Sequence, residues 1–177
     1  MAEQAFDEQL SRILGRRSIR SYQTARIDDD RIEAMLRAAM AAPSACATDP
    51  WRFVVVRDPS TLQRLAEGLP NGTMLGSAAA GIVVCGDQDA AHDRQISYLL
   101  QDCSAAIENI LLAAHMLGLG ACWLGVHPRM ERVAHVAKTL SIPEPVVPVA
   151  CLALGYPAES KESRTRYKAE NVHHEKW

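Results

Sequence analysis

Residues 95–118 read QISYLLQDCSAAIENILLAAHMLG, and this stretch decides the fold. Apolar residues recur there at alternating steps of four and three, which is typical of one face of an α-helix. A helix of this length exceeds 30 Å at about 1.5 Å per residue, and a second apolar stripe widens its face. We therefore predict that it lies in the core and also meets a second copy of the chain. The first stripe consists of Ile96, Leu100, Cys103, Ile107, Ile110, Ala114 and Leu117. The second consists of Leu99, Ala106, Leu111 and Ala113, with Asp102 and Glu108 as interruptions.

Shorter elements are predicted on both sides of this helix. The predicted helices are Phe6–Gly15, one from near Asp28, one from Asp58-Pro59, and Pro128–Leu140. The predicted strands are Arg52–Arg57, Ala80–Cys85, Ala121–Val126 and Val146–Gly155. No repeat or low-complexity linker divides the chain, so residues 1–177 are predicted to form one domain. The polar arm 158–177 ends in Trp177, which predicts that the arm docks elsewhere.

Composition excludes several classes of protein. The 177 residues carry a formal net charge of −2, and no apolar run is long enough to span a membrane. We expect neither nucleic acid nor a membrane as a partner. The five cysteines are odd in number and widely spaced, which argues against a disulfide framework and against a metal site. The first residues do not resemble a signal peptide, and the expected location is the cytoplasm.

Two short basic clusters stand out in this nearly neutral chain. Arg16, Arg17 and Arg20 lie near the start, and the second cluster lies near the end. Arginine matches phosphate oxygens bidentately, so the clusters predict a site for a small anion. A solvated helix end is the alternative for the first cluster. The second cluster consists of Lys161, Arg164, Arg166 and Lys168.

Two further stretches suit a planar ligand. Residues 42–53, APSACATDPWRF, form a predicted rigid loop whose backbone can approach a ring closely, although a plain connection is also possible. Cys46 in this loop is either a reactive thiol or an inert small residue. In residues 118–125, GLGACWLG, the glycines end a helix, whereas a dinucleotide-binding fingerprint opens one. They indicate instead that the chain closely approaches either another strand or a ligand. The chain shows no motif for a catalytic nucleophile or a metal, which suggests that a cofactor supplies the chemistry.

In this order, the motifs resemble the nitroreductase family of FMN enzymes over nearly the whole chain. They are RRSIR (16–20), APSA…PWRF (42–53), LLAAHMLGLGACWLG (111–125), LALGYP (152–157) and the tail RTRY…VHHEKW (164–177). The resemblance implies an α+β fold with a central, mostly antiparallel sheet flanked by helices. It also implies a homodimer in which long helices interlock, C-terminal arms are exchanged and two FMN molecules lie at the interface.

The resemblance assigns most of the motif residues to non-covalent FMN. Arg20 and Gly125 are the implied catalytic residues, Arg20 near flavin N1/O2 and Gly125 with Leu124 near N5. Ala47 and Asp49 depart from the family, which usually has Asn and Gln at those positions, and they alter the loop facing the ring. The implied phosphate and ribityl contacts are Arg16, Arg17, Ser18 and Arg164 or Arg166. The implied ring contacts are Trp123 in the same chain and Pro43, Ser44 and Ala45 in the partner subunit.

The implied reaction transfers hydride from NAD(P)H through FMN to a nitroaromatic, a quinone or a similar small-molecule acceptor by a ping-pong mechanism. The change at Ala47 keeps open a flavin-binding protein for storage or sensing that does not turn over. A third alternative is a branch that uses flavin for dehalogenation or that degrades FMN itself. Such branches usually carry a lid insertion, whereas residues 67–77 read as a short loop.

Overall fold

The computed structural model describes residues 9–177, and these form a sheet of four strands with helices on both faces. Phe6, where the first helix is predicted to begin, lies outside the described residues. The helices are α1 (9–14), α2 (Asp29–Ala39), α3 (Pro59–Glu67), α4 (Ile96–Met116) and α5 (Met130–Leu140). The strands are β1 (Trp51–Val56), β2 (Ala80–Asp87), β3 (Gly120–Gly125) and β4 (Val146–Gly155).

The strand order across the sheet is β1-β2-β4-β3, and every neighbouring pair is antiparallel. This confirms the expected α+β class and the mostly antiparallel sheet. Ser18 adds an isolated parallel bridge to Ala121 on β3, and Ile19 N donates to Ala121 O at 3.0 Å. The RRSIR segment is thereby fixed along the free edge of β3.

Alternate residues of β2 face two separate apolar layers, as the pleat of a strand requires. Ile82 and Val84 pack with α2 and α4, whereas Val83 and Cys85 pack with α3 and α5. The central strands β2 and β4 are therefore covered on both faces and are buried along most of their length. Burial raises the pKa of the Cys85 and Cys151 thiols to about 12, which keeps both protonated at neutral pH.

Helix α4 lies across the core, as its two apolar stripes predict. Leu99, Ala106 and Ile110 are fully buried between the sheet and α2. The two ends are more open, because Ile96 is 36% exposed and Met116 is 51% exposed. The core half of the prediction for this helix is thus confirmed, and its contact with a second copy stays a prediction.

The two predicted helix starts have different caps. Asp58 accepts a hydrogen bond from Thr61 N at 2.8 Å, and bonds from Ser60 and Thr61 lower its pKa to about 2. Asp28 precedes α2 as predicted, but its side chain makes no capping hydrogen bond. It lies instead 3.7 Å from Arg31 Nε, one turn along the helix.

Candidate functional site

The two basic clusters meet around one cavity of about 590 Å³ beside the end of α1. Residues from opposite ends of the sequence form its walls, because the segment after β4 runs back past the RRSIR segment. We call it the basic cavity. Its walls are Ile13, Leu14, Arg16, Arg17, Ser18, Arg20, Glu108, Lys161, Arg164, Thr165 and Arg166.

Arg17 holds the C-terminal arm in place. Its Nε donates to Glu162 O at 2.7 Å, and its Nη2 donates to Leu14 O at 2.8 Å and to Arg164 O at 2.6 Å. Nη1 contacts Arg16 O as well. Because a guanidinium has five N–H groups, little of this one is left to bind a ligand. Arg17 gives the cavity its shape and a positive charge.

Other cations of the basic cavity are better placed to bind an anion. Within residues 9–177 the guanidiniums of Arg164 and Arg166 have no ion-pair partner, and that of Arg20 has a 3.4 Å contact with Ser18 O. Lys161 is engaged, because Nζ donates to Ser18 O at 2.6 Å and lies 3.1 Å from Glu159. Three arginines thus present donors to the cavity.

Arg16 and Glu108 both line the basic cavity and form an ion pair with each other. Arg16 Nε lies 3.5 Å from Glu108 Oε1 on α4. His115 lies about two turns after Glu108 along α4, close to Gly15. Burial, and then the charges of Arg16 and Arg17, lower the pKa of His115, so its ring is neutral at pH 7.

A second cavity of about 190 Å³ lies beside β3, and Arg20 lines both cavities. We call it the β3 cavity. A Cβ added to Gly125 would meet no atom within 4 Å, so the space next to that backbone is open. Arg132 Nη1 donates to Gly125 O at 2.9 Å. The other residues of its lining are Leu69, Asn71, Gly72, Cys122, Trp123 and Leu124.

The predicted ring contacts of residues 43–49 lie apart from both cavities. Pro43, Ser44, Ala45, Ala47 and Asp49 do not contribute to either lining. The loop is fixed to α4 instead, because the buried Asp102 accepts a hydrogen bond from Ala45 N at 2.9 Å. This separation agrees with the expectation that the loop acts on a partner's cofactor, which stays a prediction.

Asp49 engages its own loop. Ser44 Oγ donates to Asp49 Oδ1 at 2.5 Å and accepts from Asp49 N at 3.0 Å. Cys46, Ala47 and Asp49 all have φ near +50°, a region that costs energy for residues other than glycine. The loop is therefore held in a strained shape by Asp102 on one side and by Asp49 on the other.

Sequence reasoning assigned no site role to three polar residues of the cavity linings, and it missed the contact between Cys46 and His92. Glu108, Asn71 and Arg132 line the cavities, and Cys46 Sγ lies 3.8 Å from His92 Nε2. A signal existed for Glu108, because it interrupts an apolar stripe of a long helix. Arg132 had none, since a solvated arginine on an amphipathic helix gives the same pattern.

In the described part of the chain, no group of three His, Cys, Asp or Glu side chains is arranged to hold a metal ion. No helix among residues 9–177 has the length and apolar character needed to cross a membrane.

Known proteins resemble this chain over nearly its full length. A 174-residue alignment with a protein of Archaeoglobus fulgidus, provisionally named an NADH dehydrogenase/NAD(P)H nitroreductase, has 46% identity and covers 97% of this chain and 99% of that protein. A crystal structure from Parabacteroides distasonis with the same provisional name superimposes with a TM-score of 0.90 at 38% identity, covering 96% and 99% of the two chains.

A further solved structure, provisionally named a nitroreductase, comes from Desulfovibrio desulfuricans and is in complex with FMN. It has a TM-score of 0.82 and 33% identity, and the match covers 95% of this chain and 96% of that one. The profile of the nitroreductase family matches residues 13–69 and 67–156. Because that match spans α2 to β4 and full-length relatives agree with it, the chain belongs to the nitroreductase family.

Proposed function

We propose that this protein is an FMN-dependent oxidoreductase that takes hydride from NAD(P)H and passes it to a nitroaromatic, a quinone or a similar acceptor by a ping-pong mechanism. The observation that carries the proposal is the pair of cavities joined at Arg20. One is cationic, and the other borders open backbone at Gly125. Together they suit a ligand with an anionic end and a planar end.

The basic cavity fits a phosphate. Arg20, Arg164 and Arg166 supply charged donors without a competing ion pair in the described chain, and such bonds are stronger than neutral ones. Ser18 adds a hydroxyl to the same wall. We assign to this cavity the phosphate and ribityl chain of non-covalently bound FMN, and Arg17 fixes the arm that closes it.

The β3 cavity fits the edge of a ring system. FMN, when bound, supplies the capacity to accept and return a hydride. The chain then has to orient the ring and to stabilise its charge. The backbone of Leu124 and Gly125 faces open space, and Arg132 fixes the Gly125 peptide by binding its carbonyl. Arg20 and Arg132 bring two guanidiniums to the lining, where they favour negative charge on a bound ligand.

We further propose that the site is completed in a homodimer. The loop of residues 43–49 is rigidly fixed to α4 but lies outside both cavities, so it has no ring to contact within its own chain. Exposed apolar residues lie on α4 and at the end of α1, and Trp177 is fully exposed. They are Ile96, Tyr98 and Met116 on α4 and Ile13 and Leu14 on α1. A second copy that covers them would bring its loop against this chain's ring.

The test is anaerobic and begins with the flavin spectrum. The purified protein loaded with FMN should lose its yellow colour on addition of NADH or NADPH, and menadione or a nitroaromatic should restore it. If the colour is lost but no acceptor restores it, the protein reduces FMN with NAD(P)H, and the proposed classes of acceptor are wrong. Absence of bleaching with both nucleotides would contradict the proposal.

Binding of flavin without turnover is the second candidate. Ala47 cannot form the side-chain hydrogen bond that the family's usual asparagine offers, and Asp49 binds Ser44 within its own loop. This candidate predicts tight FMN binding with no nicotinamide oxidation in the steady state. A lid-bearing branch has less support, because the connection between α3 and β2 is short, residues 68–79, and contains one 3-10 helix, Thr73–Ser77.

A further inference from the structure

Glu108 is the acid in the lining of a cavity that otherwise presents cations, hydroxyls and apolar groups. Its carboxylate lies 3.5 Å from Arg16, and the two side chains are 47% and 27% exposed, respectively. The pair is thus partly shielded from water, where charges interact more strongly than at an open surface. A carboxylate next to a site that has to bind an anion weakens that binding by electrostatic repulsion.

The groups packed around Glu108 do not neutralise it by other means. His115 on the same helix is neutral at pH 7, because burial and the adjacent arginines lower its pKa. Asn109 turns to the opposite side and donates to Ala38 O at 2.9 Å. Arg17, another cation of the first cluster, uses its donors on backbone carbonyls. Arg16 is therefore the counter-ion of Glu108.

We propose that Glu108 competes with the phosphate of FMN for Arg16 and thereby weakens phosphate binding and favours release of the flavin. The inference rests on the proposed function, since it takes FMN as the ligand of the basic cavity. When a phosphate enters, Arg16 has to be shared, and the carboxylate repels the incoming dianion. Glu108 thus lowers the preference for FMN over riboflavin, which lacks the phosphate.

The experiment compares flavin binding by the full-length protein and three variants after removal of bound flavin. Glu108→Gln keeps the shape of the side chain and removes its charge, whereas Glu108→Asp keeps the charge. Glu33→Gln is the control for the loss of one carboxylate from an ion pair, because Glu33 pairs with Arg37 on the exposed face of α2 and lines neither cavity. Quenching of flavin fluorescence gives the Kd for FMN and for riboflavin, and circular dichroism verifies that each variant is folded.

We expect Glu108→Gln to bind FMN about three- to fivefold more tightly, the effect typical of one partly exposed charge pair. Its affinity for riboflavin should stay within twofold or so of the parent protein, as should both affinities of Glu108→Asp and Glu33→Gln. The dissociation rate of FMN should fall in the same proportion as its Kd.

Three results would overturn the inference: an unchanged Kd for FMN in Glu108→Gln, a weaker one, or an equal tightening of FMN and riboflavin. Equal tightening would place the effect of Glu108 on the ring or the ribityl chain. Failure of the parent protein to quench FMN at all would remove the proposed function itself. The last outcome is distinguishable, since it appears before any variant is compared.

Discussion

At the scale of single residues, Arg20 connects the two cavities. It lines both of them, and within the described chain its guanidinium has no ion pair that would hold it elsewhere. Its backbone is fixed nevertheless, because Glu159 accepts from Arg20 N at 2.5 Å and from Ser21 N at 3.2 Å. The first of these bonds also lowers the pKa of Glu159, so the acceptor stays charged.

The variant Arg20→Ala should lower the rate of flavin reduction more than it lowers the affinity for FMN. Removal of one preorganised donor to developing charge costs about a hundredfold in rate, whereas phosphate contacts at Arg164 and Arg166 remain. Stopped-flow reduction by NADH or NADPH measures the rate, and fluorescence quenching measures the affinity. Arg20→Lys, which keeps the charge, should lose less. An unchanged reduction rate in Arg20→Ala would reject the role.

Residue identities in the cavities were only partly predictable. The two arginine clusters indicated an anion site because like charges rarely gather without a ligand or a partner. Glu108 and Arg132 were not assigned, because their roles depend on which face of a helix turns to the cavity. The hydrogen bonds between Asp49 and Ser44 were equally unpredictable, since they depend on positive φ values at residues 46, 47 and 49 that these residue types do not require.

At the scale of elements, local patterns were sufficient to predict the four strands and the helices α2 to α5, with several ends displaced by one or two residues. The predicted Val146–Gly155 coincides with β4, and Asp58-Pro59 opens α3 as predicted. The sheet order β1-β2-β4-β3 was not readable, because β2 pairs with β4 across more than fifty residues of sequence. The partners of Arg17 in the arm lie about as far away as the chain allows, so no local rule finds them.

The capping hydrogen bonds of Asp58 at the start of α3 should make the free energy of unfolding depend on pH. The pKa of Asp58 is about 2 in the folded state against an ordinary value of 3.8, so its contribution to stability is present above pH 4 and is lost as the pH falls towards 2. Urea unfolding should show Asp58→Ala to be less stable than the parent at pH 6. The gap should close near pH 2. Asp30→Ala, which removes no capping bond, should show a smaller change, and a gap independent of pH would contradict the assignment.

At the scale of the whole molecule, the arm connects the basic cavity with an exposed end of the chain. Residues 161–166 form one wall of the basic cavity, and the rest of the arm leads to an exposed Trp177. That residues 1–177 form one domain and that two copies exchange their arms remain predictions. The exchange of arms depends on contacts between two chains, and the single domain depends on whether all parts of the chain unfold together.

Truncation before Arg164 should weaken both the dimer and FMN binding, because it removes two free guanidiniums together with the docking segment. A shorter truncation that removes residues 169–177 is the control. It keeps Arg164 and Arg166, so it should retain FMN while losing part of the dimer. Size-exclusion chromatography and the flavin spectrum measure the two properties. A protein that ends before Arg164 and stays a yellow dimer at nanomolar concentration would contradict the docking of the arm.

The way in which Arg17 holds the arm has a consequence for how this sequence can change. Arg17 binds carbonyl oxygens of Glu162 and Arg164, and every amino acid carries such a group. These two contacts are therefore independent of the side chains of Glu162 and Arg164. Lys161 and Ser163, in contrast, bind the carbonyl oxygens of Ser18 and Leu14 through their own side chains. Position 162 can therefore change without loss of the Arg17 contact, and so bring new surface chemistry beside the basic cavity, as long as Arg17 is kept. Substitution of Glu162 is therefore expected to be tolerated, whereas substitution of Arg17 is not.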